Sequence, residues 1–201
     1  MTWIATIAYS EATGRLGSLY ARIKGPGDKI DNIMLAHSLR PHTMEGHMAL
    51  YKHVLHNTAN RLPSWFLETV GVYVSWINGC AYCVDHHFAG LVRLLKDDSR
   101  AGAIRRGLES EDFESVFSDA QAAALRYAAA LTRSPGAVTA TMVGEMRAAG
   151  LDDGMILEVN QVAAYFAYAN RTVLGLGVTA VGDVLGLAPA DSDDQDDWSH
   201  R

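Results

Sequence analysis

Cys80 and Cys83 are the two cysteines of this 201-residue chain, and His86 and His87 follow them directly. Cys80, Cys83 and His87 fall at i, i+3 and i+7, positions that share one face of a helix. Asn78-Gly79 just before them breaks the incoming helix, so Cys80 stands at the first turn of the next one. Unpaired N–H groups and about half a positive charge collect there, and both stabilise a thiolate. His87, one turn past Cys83, can accept or relay a proton near neutral pH. A carboxylate beside it would orient the imidazole and strengthen it as a base. Glu68 is the candidate, as the one formal charge in the otherwise apolar stretch 63–77. Spacing alone does not bring Glu68 to His87: the chain must fold back at Asn78-Gly79.

These residue types admit other chemistry. Cys80, Cys83 and His86 or His87 could hold a metal, but a structural zinc site needs four ligands and no second pair is present. No metal or cofactor is therefore expected. His37, His42, His47, His53 and His56 are scattered, with no cysteine or carboxylate completing a set. The aspartates near the C-terminus lack the glycine and closing glutamate of a calcium loop.

The elements that would carry the site read as helices, with no firm strand and no βαβ alternation. Residues 3–9 suggest an extended arm. Apolar residues recur at helical spacing from Ala12 to Ile23, from about Asp28 to His37, and from Thr43 to His56, with Pro41 as a stop. Pro63 opens a helix that runs to Asn78 and is apolar nearly all round, hence central and buried. The cysteine helix extends to about Leu95. A short basic helix covers residues 99–108, Ser118 caps an alanine-rich helix to Leu131, and Thr139 caps another that ends at Gly150. The last long helix runs from Asp152 or Asp153 through Val173. The class is all-α, with eight or nine helices. The expected organisation is an N-terminal extension (1–27), a helical domain (28–187) and a mobile acidic tail (188–201). Leu67-Glu68 and Leu157-Glu158 sit in similar apolar helices that end in Asn, a faint internal echo.

Glu68, then Cys80-Ala-Tyr-Cys83, then three residues and His87, resembles the Glu…Cys-x-x-Cys-x-x-x-His signature of the AhpD-like alkylhydroperoxidases, within the wider carboxymuconolactone decarboxylase family. Asn78 to His87 is similar to the peroxidase-related branch, as are Leu35-Ala-His-Ser-Leu39 and Tyr165-Phe-Ala-Tyr-Ala-Asn-Arg171. The resemblance spans about residues 28–180. It implies an all-α AhpD-like bundle that forms homo-oligomers. It also implies that Cys83 is the peroxidatic cysteine, that Cys80 resolves it to a disulfide, and that Glu68 and His87 relay the proton. The substrate would be a hydroperoxide, and an external dithiol, from a reductant protein or a lipoyl-type donor, would restore the thiols. The family's histidine beside the second cysteine is replaced by Tyr82, and a phenol is no base at pH 7. Tyr82 and the adjoining His86 are accessory candidates. Tyr82 keeps a second reading open, a dithiol–disulfide partner or sensor without substantial peroxidase activity. Further readings are a decarboxylase-like lyase, against which the intact cysteine pair counts, and a plain helical oligomerisation module.

The totals exclude other classes. Net charge is −6, and five Asp against one Arg in residues 191–201 supply −4 of it. No basic patch argues for a nucleic-acid partner. No stretch reaches about 18 uncharged apolar residues, so no membrane span is expected. The N-terminus lacks a basic leader, and two cysteines in one short motif do not make a disulfide scaffold, so a cytoplasmic location is the expectation.

Overall fold

A computed structural model describes residues 1–201. The chain forms nine α-helices, a few single 3₁₀ turns and no strand. They are α1 (Gly14–Ile23), α2 (Asn32–Ala36), α3 (Pro41–Leu55), α4 (Ser64–Ile77), α5 (Ala81–Leu95), α6 (Asp98–Ser110), α7 (Asp119–Arg133), α8 (Ala140–Ala148) and α9 (Asp153–Leu176). The architecture is the all-α bundle that the sequence predicts.

Helix α4 is the axis of the fold. Every residue from Phe66 to Ser75 is buried, and α5, α7 and α9 pack around it, with α3 and α6 at its flanks. Burying one large apolar side chain such as Phe66 or Leu67 contributes about 1.5–3 kcal/mol, which is why an almost uniformly apolar helix takes the centre. Gly71 lets α9 approach: a Cβ there would meet the Phe166 ring at 2.1 Å. Alanines do the same on α7, where Ala122, Ala123, Ala124, Ala128 and Ala129 are buried. That helix opens with a capping box, Ser118 Oγ accepting from the Gln121 N–H while the Gln121 side chain accepts from the Ser118 N–H.

The turn between α4 and α5 is a Schellman motif. Gly79 adopts φ +68°, the Gly79 N–H donates to Trp76 O and the Cys80 N–H to Ser75 O. A side chain at position 79 would have room but not that backbone conformation. Cys80 thus becomes the N-cap of α5.

Several boundaries differ from expectation. Pro41 does not stop a helix; it is the first residue of α3, where its missing N–H costs nothing. Helix α2 is only five residues long. Helix α9 passes the expected end at Val173 and stops at Gly177, in the left-handed region at φ +62°. The N-terminal arm lies along that end: the Trp3 N–H donates to Leu176 O at 2.8 Å.

Residues 188–201, expected to be mobile, instead fold back over α3, α4 and α5. Lys52 is fully buried, and its ammonium donates to Ala190 O and to Ser192 Oγ. The Ser192 N–H donates to His56 O, and the Arg201 N–H to Ala188 O. Trp198 and His200 are buried, and the Arg22 guanidinium lies 3.9 Å over the Trp198 ring. Composition misleads here because the tail docks through polar groups that satisfy buried partners in the bundle, not through apolar area.

Candidate active site

The fold-back at Asn78-Gly79 brings Glu68 of α4 to His87 of α5. His87 Nδ1 lies 2.7 Å from Glu68 Oε2, with the two side chains 14% and 3% exposed. At that depth the contact orients the imidazole, and His87 lines the same cavity as Cys83. The Phe166 ring packs edge-on against His87, centroids 4.6 Å apart. Gly90 sits one turn on, and a Cβ there would come within 3.9 Å of the Glu68 carboxyl carbon.

Glu68, His87 and Cys83 line one cavity of about 40 Å³. A single water needs about 10–15 Å³ by this measure, so the space suits a few waters or a very small substrate. Tyr51, Tyr165 and His200 close it on the other sides. Cys80 does not line this cavity; it borders a separate surface cleft with Trp76 and Arg105.

The two sulfurs share one polar nest. Asn170, fully buried on α9, donates from Nδ2 to Ser75 Oγ at 3.0 Å and accepts at Oδ1 from Asn78 Nδ2 at 2.9 Å. The adjacent Cys83 thiol holds Cys80 below the ordinary thiol range, against the opposing effect of burial. Cys83 itself is pushed well above that range, first by Cys80 and then by burial, with Asn170 and Ser75 opposing. Of the two thiols, Cys80 is therefore the one that gives up its proton first. This qualifies the expectation that Cys83 is the readily formed thiolate: Cys83 must pass its proton to a base before it can attack.

Tyr82 and His86 point into a second polar cluster. Tyr82 OH donates to Asp183 Oδ2 at 2.9 Å and accepts from the Ile33 N–H at 3.2 Å. Burial, then the charge of Asp183, raises its phenol well above the usual value. The His86 ring lies tilted against Tyr82 with centroids 4.4 Å apart and places Nε2 3.2 Å from Asp183 Oδ2. Neither residue hydrogen-bonds to Glu68 or His87, so neither replaces the histidine absent at position 82. Asp31, on the cavity wall, is pushed up to about 6, chiefly by burial.

Sequence reasoning missed Asn170, Ser75, Asp31, Asp183 and His200. Each reaches the site through tertiary packing from a distant segment. Asn170, an amide in the apolar run of α9, is the one with a local signal. The echo between Glu68 and Glu158 has no functional counterpart: the Glu158 carboxylate accepts the Arg61 and Leu62 N–H groups just ahead of α4.

Among curated proteins none matches the chain in sequence. Residues 41–130 match the model of the carboxymuconolactone decarboxylase family. Among solved structures, the chain is similar to an uncharacterized peroxidase-related protein with an alkylhydroperoxidase AhpD core from Ralstonia eutropha JMP134. Identity is 18%, with 89% of this chain and 92% of that one covered and a TM-score of 0.77. It is also similar to an uncharacterized peroxidase-related protein from Silicibacter sp. TM1040, at 21% identity, 75% and 76% coverage and a TM-score of 0.64. A third is the debrominase Bmp8, solved as a cysteine-to-alanine variant with 2,3,4-tribromopyrrole, at 16% identity, 90% and 92% coverage and a TM-score of 0.70. At these identities the likeness is one of fold. The matched segment runs from α3 through most of α7 and contains Glu68, Cys80, Cys83 and His87, and the all-α fold of the chain is AhpD-like.

Proposed function

We propose that the protein is a thiol-dependent peroxidase that reduces small hydroperoxides through Cys83 and Cys80. The observation that carries this reading is the opening of Cys83, and not Cys80, onto the small cavity that also holds the His87–Glu68 pair. The Cys83 proton passes to His87, through water in the cavity, and Glu68 stabilises the resulting imidazolium. The Cys83 thiolate attacks the outer peroxide oxygen; the O–O bond breaks, and the alcohol or water leaves with the proton from His87. Cys83 is then a sulfenic acid. The Cys80 thiolate attacks it, displacing hydroxide that leaves as water once protonated, and a disulfide forms. An external dithiol, protein-borne or lipoyl-type, reduces the disulfide by exchange. No cofactor enters the cycle. A homo-oligomer is part of the proposal, since Trp76, Leu157 and Leu174 are exposed on the helix surfaces.

The test is peroxide consumption with a dithiol reductant, alongside mass analysis for a Cys80–Cys83 disulfide. Cys83→Ser is expected to abolish turnover, and Cys80→Ser to halt the cycle at the sulfenic acid. Undiminished turnover in Cys83→Ser sinks the reading.

The lowering of the Cys80 thiol relative to Cys83 favours one other reading, a dithiol–disulfide exchange partner, because exchange chemistry uses the more acidic thiol. Turnover of a disulfide substrate with no turnover of peroxide would select it. A lyase reading requires full activity on a lactone after both thiols are alkylated. The cavity of about 40 Å³ is too small for a halogenated aromatic ring.

A further inference from the structure

Glu68 is faced by two imidazoles, one on each carboxylate oxygen. Oε2 meets His87 Nδ1, and Oε1 lies 3.8 Å from Nε2 of His56, the residue that closes α3. The other nitrogen of His56, Nδ1, lies 2.9 Å from Asp191 Oδ1 in the folded-back tail. Asp191 Oδ2 accepts from Ser64 Oγ at 2.5 Å. The His56 ring is 5% exposed, whereas Asp191 is 39% exposed. Although buried, His56 Nε2 has no hydrogen-bond partner; at 3.8 Å it is within ion-pair reach of Glu68 but beyond a hydrogen bond. Nothing in the cysteine motif accounts for this second arm.

We propose that His56 and the tail carboxylate Asp191 form the outer limb of the proton relay, a positioning pair that shares one proton with Glu68 and connects it to solvent. The inference rests on the reading of Glu68–His87 as the base of a thiol site. With a proton on each nitrogen, His56 is a cation between two carboxylates, which lets both remain ionised in a buried setting. An ionised Glu68 is what His87 requires to take the Cys83 proton. The other groups around His56 are Tyr51, its ring edge-on at 4.9 Å, the Lys52 ammonium held by the tail, His200 and, across Glu68, His87. Lys52 favours the carboxylates and opposes a proton on His56; Asp191 offsets it. The His56 imidazole holds the Asp191 carboxyl below the usual range despite partial burial. Glu68, His56 and Asp191 also border an outer hollow of about 310 Å³, with Arg93 of α5 and Arg201 of the tail on its wall as further cations that favour the carboxylates. A small swing of the ring, or one water in that hollow, closes the 3.8 Å gap, and a proton reaches solvent without crossing the substrate cavity. The tail is thereby part of the site, which only the folded-back arrangement of residues 188–201 permits.

The test reads Cys83 thiolate against pH by ultraviolet absorbance, in full-length chains carrying Cys80→Ser so that one sulfur reports. Each chain is referenced to a partner that also carries Cys83→Ser. His56→Gln and Asp191→Asn are each expected to move the midpoint upward by about one pH unit, about a tenfold loss of thiolate at a pH below both midpoints. The double variant is expected to move it no further than the larger single effect. Ser192→Ala, which loosens the Lys52 contact and leaves the relay intact, is expected to leave the midpoint in place. The inference is overturned if Glu68→Gln shifts the profile while His56→Gln and Asp191→Asn superimpose on the parent. If Glu68→Gln leaves the profile unmoved as well, the base role of Glu68 falls with it. An equal shift in Ser192→Ala would also overturn the inference, since tail contact alone would then be the cause.

Discussion

Cys80→Ser separates the two influences on Cys83. Cys80 is the N-cap of α5, and Cys83 lies three residues on, in the first turn. The first influence raising the Cys83 thiol is its neighbour Cys80, and burial comes second. When the pair loses one proton, the charge settles on Cys80, and removing the second proton places two charges side by side. Two unit charges about 4 Å apart interact by about 4 kcal/mol at an effective dielectric constant of 20, equivalent to about three pH units. A serine at position 80 keeps the size and a donor hydroxyl but stays neutral. Burial persists, and Asn170 and Ser75 still favour the Cys83 anion. The charge repulsion is removed while the hydroxyl can still hydrogen-bond, so the Cys83 midpoint is expected to fall, by at most about three pH units. Thiolate absorbance across a pH titration measures it, with the Cys80→Ser/Cys83→Ser chain subtracted to remove tyrosine ionisation. A Cys83 midpoint equal to or above the wild-type value would refute the reasoning and make burial the controlling influence.

Gly71→Ala drives a methyl group into the Phe166 ring, 2.1 Å away. It is expected to cost about 1–3 kcal/mol in thermal or urea unfolding, and because Phe166 packs on His87, to slow peroxide turnover as well. Asp31→Asn is expected to stabilise the protein at pH 7. The Asp31 carboxyl is raised from 3.8 to about 6, so its contribution is fully present below pH 3.8 and is lost as pH rises through about 6, a loss of about 3 kcal/mol. Urea unfolding at pH 4 and pH 7 checks it, and a variant less stable than the parent at pH 7 would contradict it. His200 is lowered from 6.5 to about 4, chiefly by burial. Tail docking should accordingly weaken as pH falls from 6.5 toward 4, by up to about 3 kcal/mol. Protease cleavage within residues 188–201 should rise over that window, and His200→Gln should flatten the rise.

The helices and the core of the site are legible in the sequence because their signals are local. An almost uniformly apolar run predicts the central α4, and Asn78-Gly79 predicts the break that makes Cys80 an N-cap. The i, i+3, i+7 spacing puts Cys83 and His87 on one face, and the lone acid of α4 identifies the carboxylate that meets His87. The illegible remainder depends on contacts across long stretches of chain. Asp183 lies 101 residues from Tyr82, whose hydroxyl it accepts, and Asp191 lies 135 residues from His56. No period or spacing encodes such meetings. The tail misleads for a related reason. Its composition signals solvation, but its partners Lys52 and His56 look like ordinary positions in α3 and at its end until the fold buries them. Pro41 shows the same ambiguity on a smaller scale, since a proline ends one helix or begins another according to the residues C-terminal to it.

The polar character of the tail has a consequence for how the site works. A buried ammonium without partners costs several kcal/mol, and Lys52 finds both of its hydrogen-bond acceptors in residues 190 and 192. His56 finds its short contact in residue 191. Releasing the tail would strand these groups in the bundle, so docking is driven by the need to satisfy them, with Trp198 its largest buried apolar side chain. Ala188 and His200 of the same segment line the cavity that holds Cys83. Tail docking therefore bears on two properties: residues 188 and 200 wall part of the cavity and Asp191 pairs with His56, and release of the tail would remove both. Acid, which places a proton on buried His200, moves both together. Release of the tail would act on Cys83 in two opposed ways: it would relieve the burial that raises the thiol, and it would remove the charge arrangement behind Glu68.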